Sequence, residues 1–230
     1  MLRHQAAALI LPGACSGEPR ERAPSSNRLP PHAGGMRIGL FGGTFDPPHA
    51  AHRLASLVAM RRLGLDRVWW LVTPGNPLKG DQAPFAERLA AARAFARHPR
   101  IDVTGIEAAI GTRYTYDTLR YLIARCPGLR FVWIMGADNL ENFHRWEKWR
   151  AIAAMIPIAV IDRLGPSLKA PAGPAGRALA RYRLPDSQAR TLPCREPPAW
   201  VYLHGLKSPV SSTALRAARG GSGHPPDGHK

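Results

Sequence analysis

The chain has few cysteines, few acidic residues and no long apolar run, and each shortage excludes a class of protein. Its three cysteines, Cys15, Cys126 and Cys194, are far apart and form no C-x-x-C pair, so the sequence predicts neither a disulfide framework nor a thiolate metal site. The one apolar run near the N-terminus, residues 6–14, is too short to cross a bilayer and is broken by a Pro-Gly pair. These features favour a reducing, cytoplasmic location without a membrane partner.

Acidic residues are half as numerous as basic ones, with 16 Asp plus Glu against 32 Lys plus Arg and a formal net charge of +16. Such a balance favours polyanionic ligands such as phosphates, nucleotides or nucleic acid. A solvated arginine surface explains it more simply, because the arginines, Arg88 and Arg93 among them, are spread along helical patterns, often on the polar side. No basic stripe with interleaved aromatics is present, so nucleic acid is the less favoured partner.

Length and composition predict one domain. A chain of 230 residues with 45% hydrophobic content is long enough for one well-buried α/β domain and too short for two generous ones. Residues 16–35 are polar, rich in Pro and Gly, and without periodicity, so we expect 1–35 to be a disordered extension, with Met36 as the working start. The domain is then expected at 36–220, followed by a disordered tail at 221–230.

From Met36 onward, apolar runs alternate with helical patterns. Runs that are apolar on both faces and separated by helices predict a parallel sheet covered on both sides, a doubly wound Rossmann-like fold whose ligand crevice lies at the carboxyl ends of the strands. Residues 163–198, rich in Pro, Ala and Arg, predict a long loop or weakly helical insertion. The predicted strands are 37–41, 67–72, 101–104, 130–136, 156–161 and 199–204, and the predicted helices are 52–64, 85–98, 114–126 and 145–155.

The stretch GGTFDPPHAAH, residues 42–52, follows the first predicted strand. Gly42 and Gly43 would let the backbone approach a ligand and take positive φ, and Asp46 is the expected N-cap of the helix that follows. His49 and His52 are then expected on one face in the first two turns, where free N–H groups and the positive helix end attract an anion. The histidines can flank a phosphate; a buried structural pair and an H-x-x-H metal site are the alternatives.

That stretch resembles the G-G-[ST]-F-D-P-x-H-x-G-H signature of bacterial nicotinate-nucleotide adenylyltransferases, in a superfamily that shares H-x-G-H with class I aminoacyl-tRNA synthetases. Four other segments are similar to that family's motifs, and the resemblance runs from Met36 to about Arg219. They are PGNPLK at 74–79, RYTYDTL at 113–119, GADNLENFHRWEKWRAI at 136–152 and VSSTALRAARGG at 210–221.

The resemblance implies adenylyl transfer from ATP to nicotinate mononucleotide, giving nicotinate adenine dinucleotide and pyrophosphate, with Mg²⁺ carried in by ATP and no metal held by the protein alone. It implies that His49 and His52 contact the α- and β-phosphates. Lys79 and Arg216 would contact the triphosphate and the leaving pyrophosphate. Other implied nucleotide contacts are Gly42, Gly43, Thr44, Phe45, Asp138, Ser211, Ser212 and Thr213, and the implied pyridine contacts are Thr115, Tyr116 and Trp146.

Three departures accompany the resemblance. Ala51 stands where the family usually has glycine, residues 163–198 are unusually rich in Pro, Ala and Arg, and the usual final helical segment after the arginine motif is missing, which leaves a homo-oligomer open. Two other adenylyltransferases of the superfamily, for nicotinamide mononucleotide or phosphopantetheine, would share the histidines. A basic nucleic-acid-binding module is the alternative from another class, and it would bind with steep salt dependence.

Overall fold

Seven parallel strands form one sheet in the computed structural model, which describes residues 29–75, 82–162 and 169–204. The strands lie in the order β3-β2-β1-β4-β5-β7-β6. Their bounds are β1 Arg37–Gly43, β2 Arg67–Val72, β3 Ile101–Thr104, β4 Arg130–Gly136, β5 Ile158–Ile161, β6 Arg183–Leu184 and β7 Trp200–Leu203. Every pairing along the sheet is parallel, so all carboxyl ends meet at one edge.

Helices cover both faces of this sheet, as the predicted doubly wound fold requires. Helices α1 and α2 pack on one face with the 3-10 segment Asp186–Cys194, and α4, α5, α6, α7 and α8 pack on the other. The helix bounds are α1 Ala50–Leu63, α2 Phe85–Ala96, α3 Ile106–Ala109, α4 Thr115–Arg125, α5 Ala137–Asn142, α6 Trp149–Met155, α7 Lys169–Ala172 and α8 Pro174–Ala178.

The strands are apolar on both faces because both faces are buried. In β2, Trp69 packs into the core beside α4 and α6, while Trp70 packs into the core beside α1 and α2. Gly64 is the C-cap residue of helix α1. Its φ of 65° is left-handed, a conformation that glycine adopts with little steric strain. These local signals explain why periodicity located the principal elements.

The chain reverses its winding direction beside β1. Strand β1 pairs with β2 on one side and with β4 on the other, so the crossovers from these strands leave toward opposite faces. In open α/β sheets a ligand crevice forms at the carboxyl ends of the strands at such a switch point. The stretch 42–52 lies at that place.

All six predicted strands are present, and the fold class is confirmed. Strand β1 extends to Gly43 and β5 begins at Ile158, two residues later than predicted. The described part of the predicted insertion is structured: it holds α7, α8, two 3-10 segments and β6. With only two residues, β6 is too short to show a period of two. Residues 29–35 also pack on the domain, with Leu29 against the core and the His32 ring 5.7 Å from the Trp69 ring.

None of the helices in the described ranges is long and apolar enough to cross a bilayer.

Candidate active site

The loop after β1 gets its shape from residues other than those predicted. Positive φ is found at Phe45, at 49°, whereas neither Gly42 nor Gly43 adopts it, so the expectation of left-handed glycines is wrong. Gly42 is needed for space: a Cβ there would lie 2.5 Å from Cη2 of Trp133. The absence of a side chain thus lets the Trp133 ring pack against the turn.

The two histidines lie together at the start of α1. His49, not Asp46, is the N-cap residue, and His52 is in the first helical turn; the Asp46 carboxylate instead accepts a hydrogen bond of 3.3 Å from the backbone N–H of Ala83. The imidazole rings stack with centroids 3.8 Å apart. The backbone N–H of His49 donates to Nδ1 of His52 at 3.2 Å. Since Nδ1 is the acceptor, the N–H donor of the His52 ring is Nε2.

Aromatic packing holds His52 from behind. The Phe45 ring lies 4.9 Å from the His52 ring and stacks on Trp70 at 4.7 Å with an interplanar angle of 14°. Trp70 Nε1 donates to Ser56 Oγ at 2.8 Å, and Ser56 Oγ donates to the His52 carbonyl at 2.9 Å. These contacts fix the position of the His52 ring against the core, and such support is what a precisely placed binding group needs.

Arg88 is buried under this loop, which contradicts the expectation that it faces solvent. Only 2% of the residue is exposed, and its guanidinium donates to four backbone carbonyls, those of Thr44, Thr73, Pro74 and Ala83. Burial lowers the pKa of Arg88, and the negative charge of Asp46 raises it. A signal was available in the sequence: Arg88 shares a helix face with Ala92 and Ala96, and all three are buried.

Glu107, in the short helix α3 that follows β3, is a second buried charged residue that the sequence did not single out. It is 5% exposed, and burial raises its pKa to about 7, against hydrogen bonding with Thr73 and Thr118 that lowers it. Thr118 Oγ1 lies 3.1 Å from Glu107 Oε1. The carboxyl group thus joins the end of β2 to the first turns of α4.

Two of the predicted pyridine residues, Tyr116 and Trp146, pack against the core on the sheet face opposite to α1. Trp146 is half-buried and contacts Trp133 edge to face, with centroids 6.3 Å apart. Thr115 and Tyr116 open helix α4 and are also half-buried. Nζ of Lys148, a residue with left-handed backbone at φ 51°, lies 4.8 Å from the centroid of the Tyr116 ring. Sequence reasoning missed this lysine, which places a positive charge beside Tyr116.

The remaining predicted residues fall into two groups. Asp138 is an exposed residue of α5, beyond the carboxyl end of β4, and its backbone carbonyl accepts a hydrogen bond of 3.2 Å from the Asn142 amide. The other group lies outside the described residues: Lys79, Ser211, Ser212, Thr213 and Arg216. The described ranges contain no group of three or more His, Cys, Asp or Glu side chains placed to hold a metal ion.

The arrangement suits transfer between two anionic phosphates. Its imidazoles sit at a helix start, the buried Arg88 supplies positive charge below the loop, and an aromatic platform lies one strand away. Such a site can align and neutralise phosphates, and no covalent nucleophile is required.

Comparisons with known proteins show which proteins this chain resembles. The cytidylyltransferase-like family model matches residues 40–218. A Bradyrhizobium protein named "Probable nicotinate-nucleotide adenylyltransferase" is 62% identical over 79% of this chain and 95% of its own length. Relatives of the same name from Methylorubrum extorquens and Rhizobium meliloti are 59% and 53% identical over 79% and 81% of this chain, and 99% and 100% of their own lengths.

Among solved structures, the Plasmodium falciparum nicotinic acid mononucleotide adenylyltransferase complexed with NaAD aligns with a TM-score of 0.62. The alignment covers 79% of this chain and 83% of that chain at 16% sequence identity. At that identity the likeness concerns the fold, which it confirms.

Proposed function

Since this chain belongs to the nicotinate-nucleotide adenylyltransferase family, we propose that it joins ATP and nicotinate mononucleotide at the carboxyl edge of the sheet through His49 and His52. The observation that carries this proposal is the stacked imidazole pair at the start of α1, beside the switch point. The 5′-phosphate of nicotinate mononucleotide attacks the α-phosphorus of ATP, the P–O bond to the β-phosphate breaks, and pyrophosphate leaves.

The chemistry places most of the demand on alignment. Holding two reacting groups in line can supply about 7–11 kcal/mol of the barrier, whereas a helix dipole supplies about 0.3–2 kcal/mol. Imidazole N–H donors, among them Nε2 of His52, then stabilise the charge that develops on the α- and β-phosphate oxygens. The backbone from Gly42 to Phe45 lies against the nucleotide in this proposal, and Asp138 contacts the ribose.

The triphosphate has a second set of proposed contacts, supported by the family motifs. Lys79 and Arg216 bind the triphosphate and the leaving pyrophosphate. Ser211, Ser212 and Thr213 supply hydroxyl and N–H donors there.

The pyridine ring stacks on Trp146 in this proposal, and its carboxylate accepts hydrogen bonds at Thr115 and Tyr116. Lys148 adds a positive charge beside the Tyr116 ring. A cation there favours nicotinate, which carries a carboxylate, over nicotinamide, which carries a neutral amide.

Mg²⁺ enters as part of the substrate, MgATP, in this proposal. The ion bridges phosphate oxygens and offsets their charge. We also propose a cytoplasmic location, which suits an enzyme that consumes ATP and whose cysteines at 126 and 194 are free thiols.

Pyrophosphate release tests the proposal. The purified chain is given MgATP with nicotinate mononucleotide, nicotinamide mononucleotide or phosphopantetheine in parallel, and nicotinate mononucleotide is expected to give the highest kcat/KM. The same assay is run on His52→Ala. His98→Ala is its matched control, because His98 lies between α2 and β3, near the amino edge of the sheet. Preference for either of the other two acceptors would overturn the assignment.

A further inference from the structure

We propose that Arg88 is a positioning residue for adenylyl transfer, holding the loop that carries the histidines in a fixed relation to the end of β2 and to the start of α2. This inference rests on the proposed function. Arg88 lies below the site and acts through the backbone of that loop.

The hydrogen bonds of Arg88 define the clamp. Nη1 donates to the Thr44 carbonyl at 2.7 Å and to the Thr73 carbonyl at 2.9 Å, and Nη2 donates to the Pro74 carbonyl at 2.9 Å. Nε donates to the Ala83 carbonyl at 2.8 Å. One planar group therefore joins the β1–α1 loop, the end of β2 and the segment just before α2.

The hydrogen bond from Arg88 to Thr44 influences the histidines through a short stretch of backbone. Thr44 precedes Phe45, whose left-handed backbone sets its ring against His52. The loop that carries the histidines therefore depends on a carbonyl that Arg88 holds.

The partners of Arg88 explain why this position holds arginine and not lysine. Its four acceptors are uncharged carbonyls, and guanidinium donors point outward in a fixed fork. An ammonium group carries the same charge with three donors on one rotating atom, so it cannot serve four carbonyls arranged around a plane. Arg88→Lys thus keeps the charge and removes the alignment, which separates the two contributions.

The experiment compares Arg88→Lys with Arg93→Lys, a matched control on the exposed part of α2. Steady-state kinetics are measured with MgATP and nicotinate mononucleotide varied in turn. The enzyme concentration in each assay is corrected for the folded fraction, which thermal melts give. We expect kcat to fall at least about tenfold in Arg88→Lys and KM for ATP to rise, while KM for nicotinate mononucleotide stays at the wild-type value. Arg93→Lys should match wild type throughout.

Hydrogen exchange of the peptide 42–52 supplies a readout independent of turnover. We expect faster exchange of this peptide in Arg88→Lys than in either wild type or Arg93→Lys. If Arg88→Lys does not fold, Arg88→Ala is refolded with and without added guanidinium ion, which is expected to restore part of the folded fraction and part of the kcat by occupying the vacated space. No recovery of either quantity would count against the clamp.

Wild-type kcat and KM for ATP in folded Arg88→Lys would overturn the positioning role, as would a loss of kcat that the unfolded fraction explains fully. Failure of the proposed function looks different: wild type itself would release no pyrophosphate from ATP and nicotinate mononucleotide. Hydrogen exchange of the loop would still test the clamp in that case.

Discussion

Arginine is used differently at the two edges of the sheet. At the amino edge, Arg37 and Arg67 begin β1 and β2 and make side-chain ion pairs with Asp66 and Asp102, at 2.9 Å and 2.6 Å. At the carboxyl edge, Arg88 is buried and bonded to carbonyls. The arginines at the amino edge connect the starts of neighbouring strands, and their charge is balanced by the paired carboxylates. Arg88 donates to uncharged carbonyls, so its positive charge remains under a loop that is proposed to bind phosphate.

The difference teaches that burial and partner type, not residue type, distinguish a site arginine from a surface arginine. The Arg37–Asp66 pair is about one-third exposed on both sides, so solvent screens it and it contributes little to stability. Arg88, in contrast, is buried, and its guanidinium donates to one buried carbonyl, that of Thr44, and to three partly buried ones.

The largest expected effect is on stability. Arg88→Met removes the donor from the buried Thr44 carbonyl and from three partly buried carbonyls. An unmet buried acceptor costs about 1–3 kcal/mol, so we expect a total loss of about 3 kcal/mol in the free energy of unfolding. Arg37→Met at the other edge should lose about 1 kcal/mol or less. Urea denaturation of both variants measures the contrast, and equal losses would show that the two edges do not differ.

The next effect is on catalysis. His52→Ala removes a proposed phosphate donor, so we expect kcat to fall at least about 10²-fold with little loss of stability. Pyrophosphate release and thermal melts measure the two quantities. Wild-type turnover in this variant would refute the role of the imidazole pair.

The third effect concerns pH, through Glu107. Its pKa is about 7 when folded and 4.5 ordinarily, so between these values the unfolded chain has lost a proton that the folded chain keeps. The contribution of Glu107 to the free energy of unfolding is therefore complete below about pH 4.5, and it is lost as the pH rises toward and through 7. We expect this loss to be about 2 kcal/mol between pH 5 and 8.

Glu107→Gln cannot titrate and still offers Thr118 an acceptor, so its melting temperature should fall less than that of wild type over that range. Parallel melts in a pH series check this. Identical slopes for the two proteins would contradict the titration of Glu107.

The smallest effect is on specificity. Lys148→Met removes the cation beside Tyr116, so the ratio of kcat/KM for nicotinate mononucleotide over nicotinamide mononucleotide should fall about fivefold, roughly 1 kcal/mol. Lys169→Met, in α7, is the control. An unchanged ratio would exclude Lys148 from acid recognition.

The accuracy of prediction from sequence also differs between the strands and the buried arginine at their carboxyl edge. Strand and helix periodicity located β1, β2, β3 and β4 almost to the residue, since apolar runs report burial on both faces. The same hydropathy rule treats any arginine as exposed, so it places Arg88 on the surface, although Arg88 shares a buried helix face with Ala92 and Ala96.

Local geometry at the site was harder to predict than its location. The stretch 42–52 was placed correctly at the end of β1, because glycines and histidines in that order match a ligand-binding turn. The N-cap was wrong: Asp46 suits that position by type, but its carboxylate bonds to the N–H of Ala83 from a distant segment. Sequence spacing carries no information about such a partner.

Gly42 and Trp133 have a consequence for how this enzyme can evolve. Because the indole fills the space that a methyl group would need at position 42, the two positions constrain each other between the proposed nucleotide site and the proposed pyridine site. A lineage that gains alanine at 42 must first shrink residue 133, and that loss would leave Trp146 without its edge-to-face neighbour.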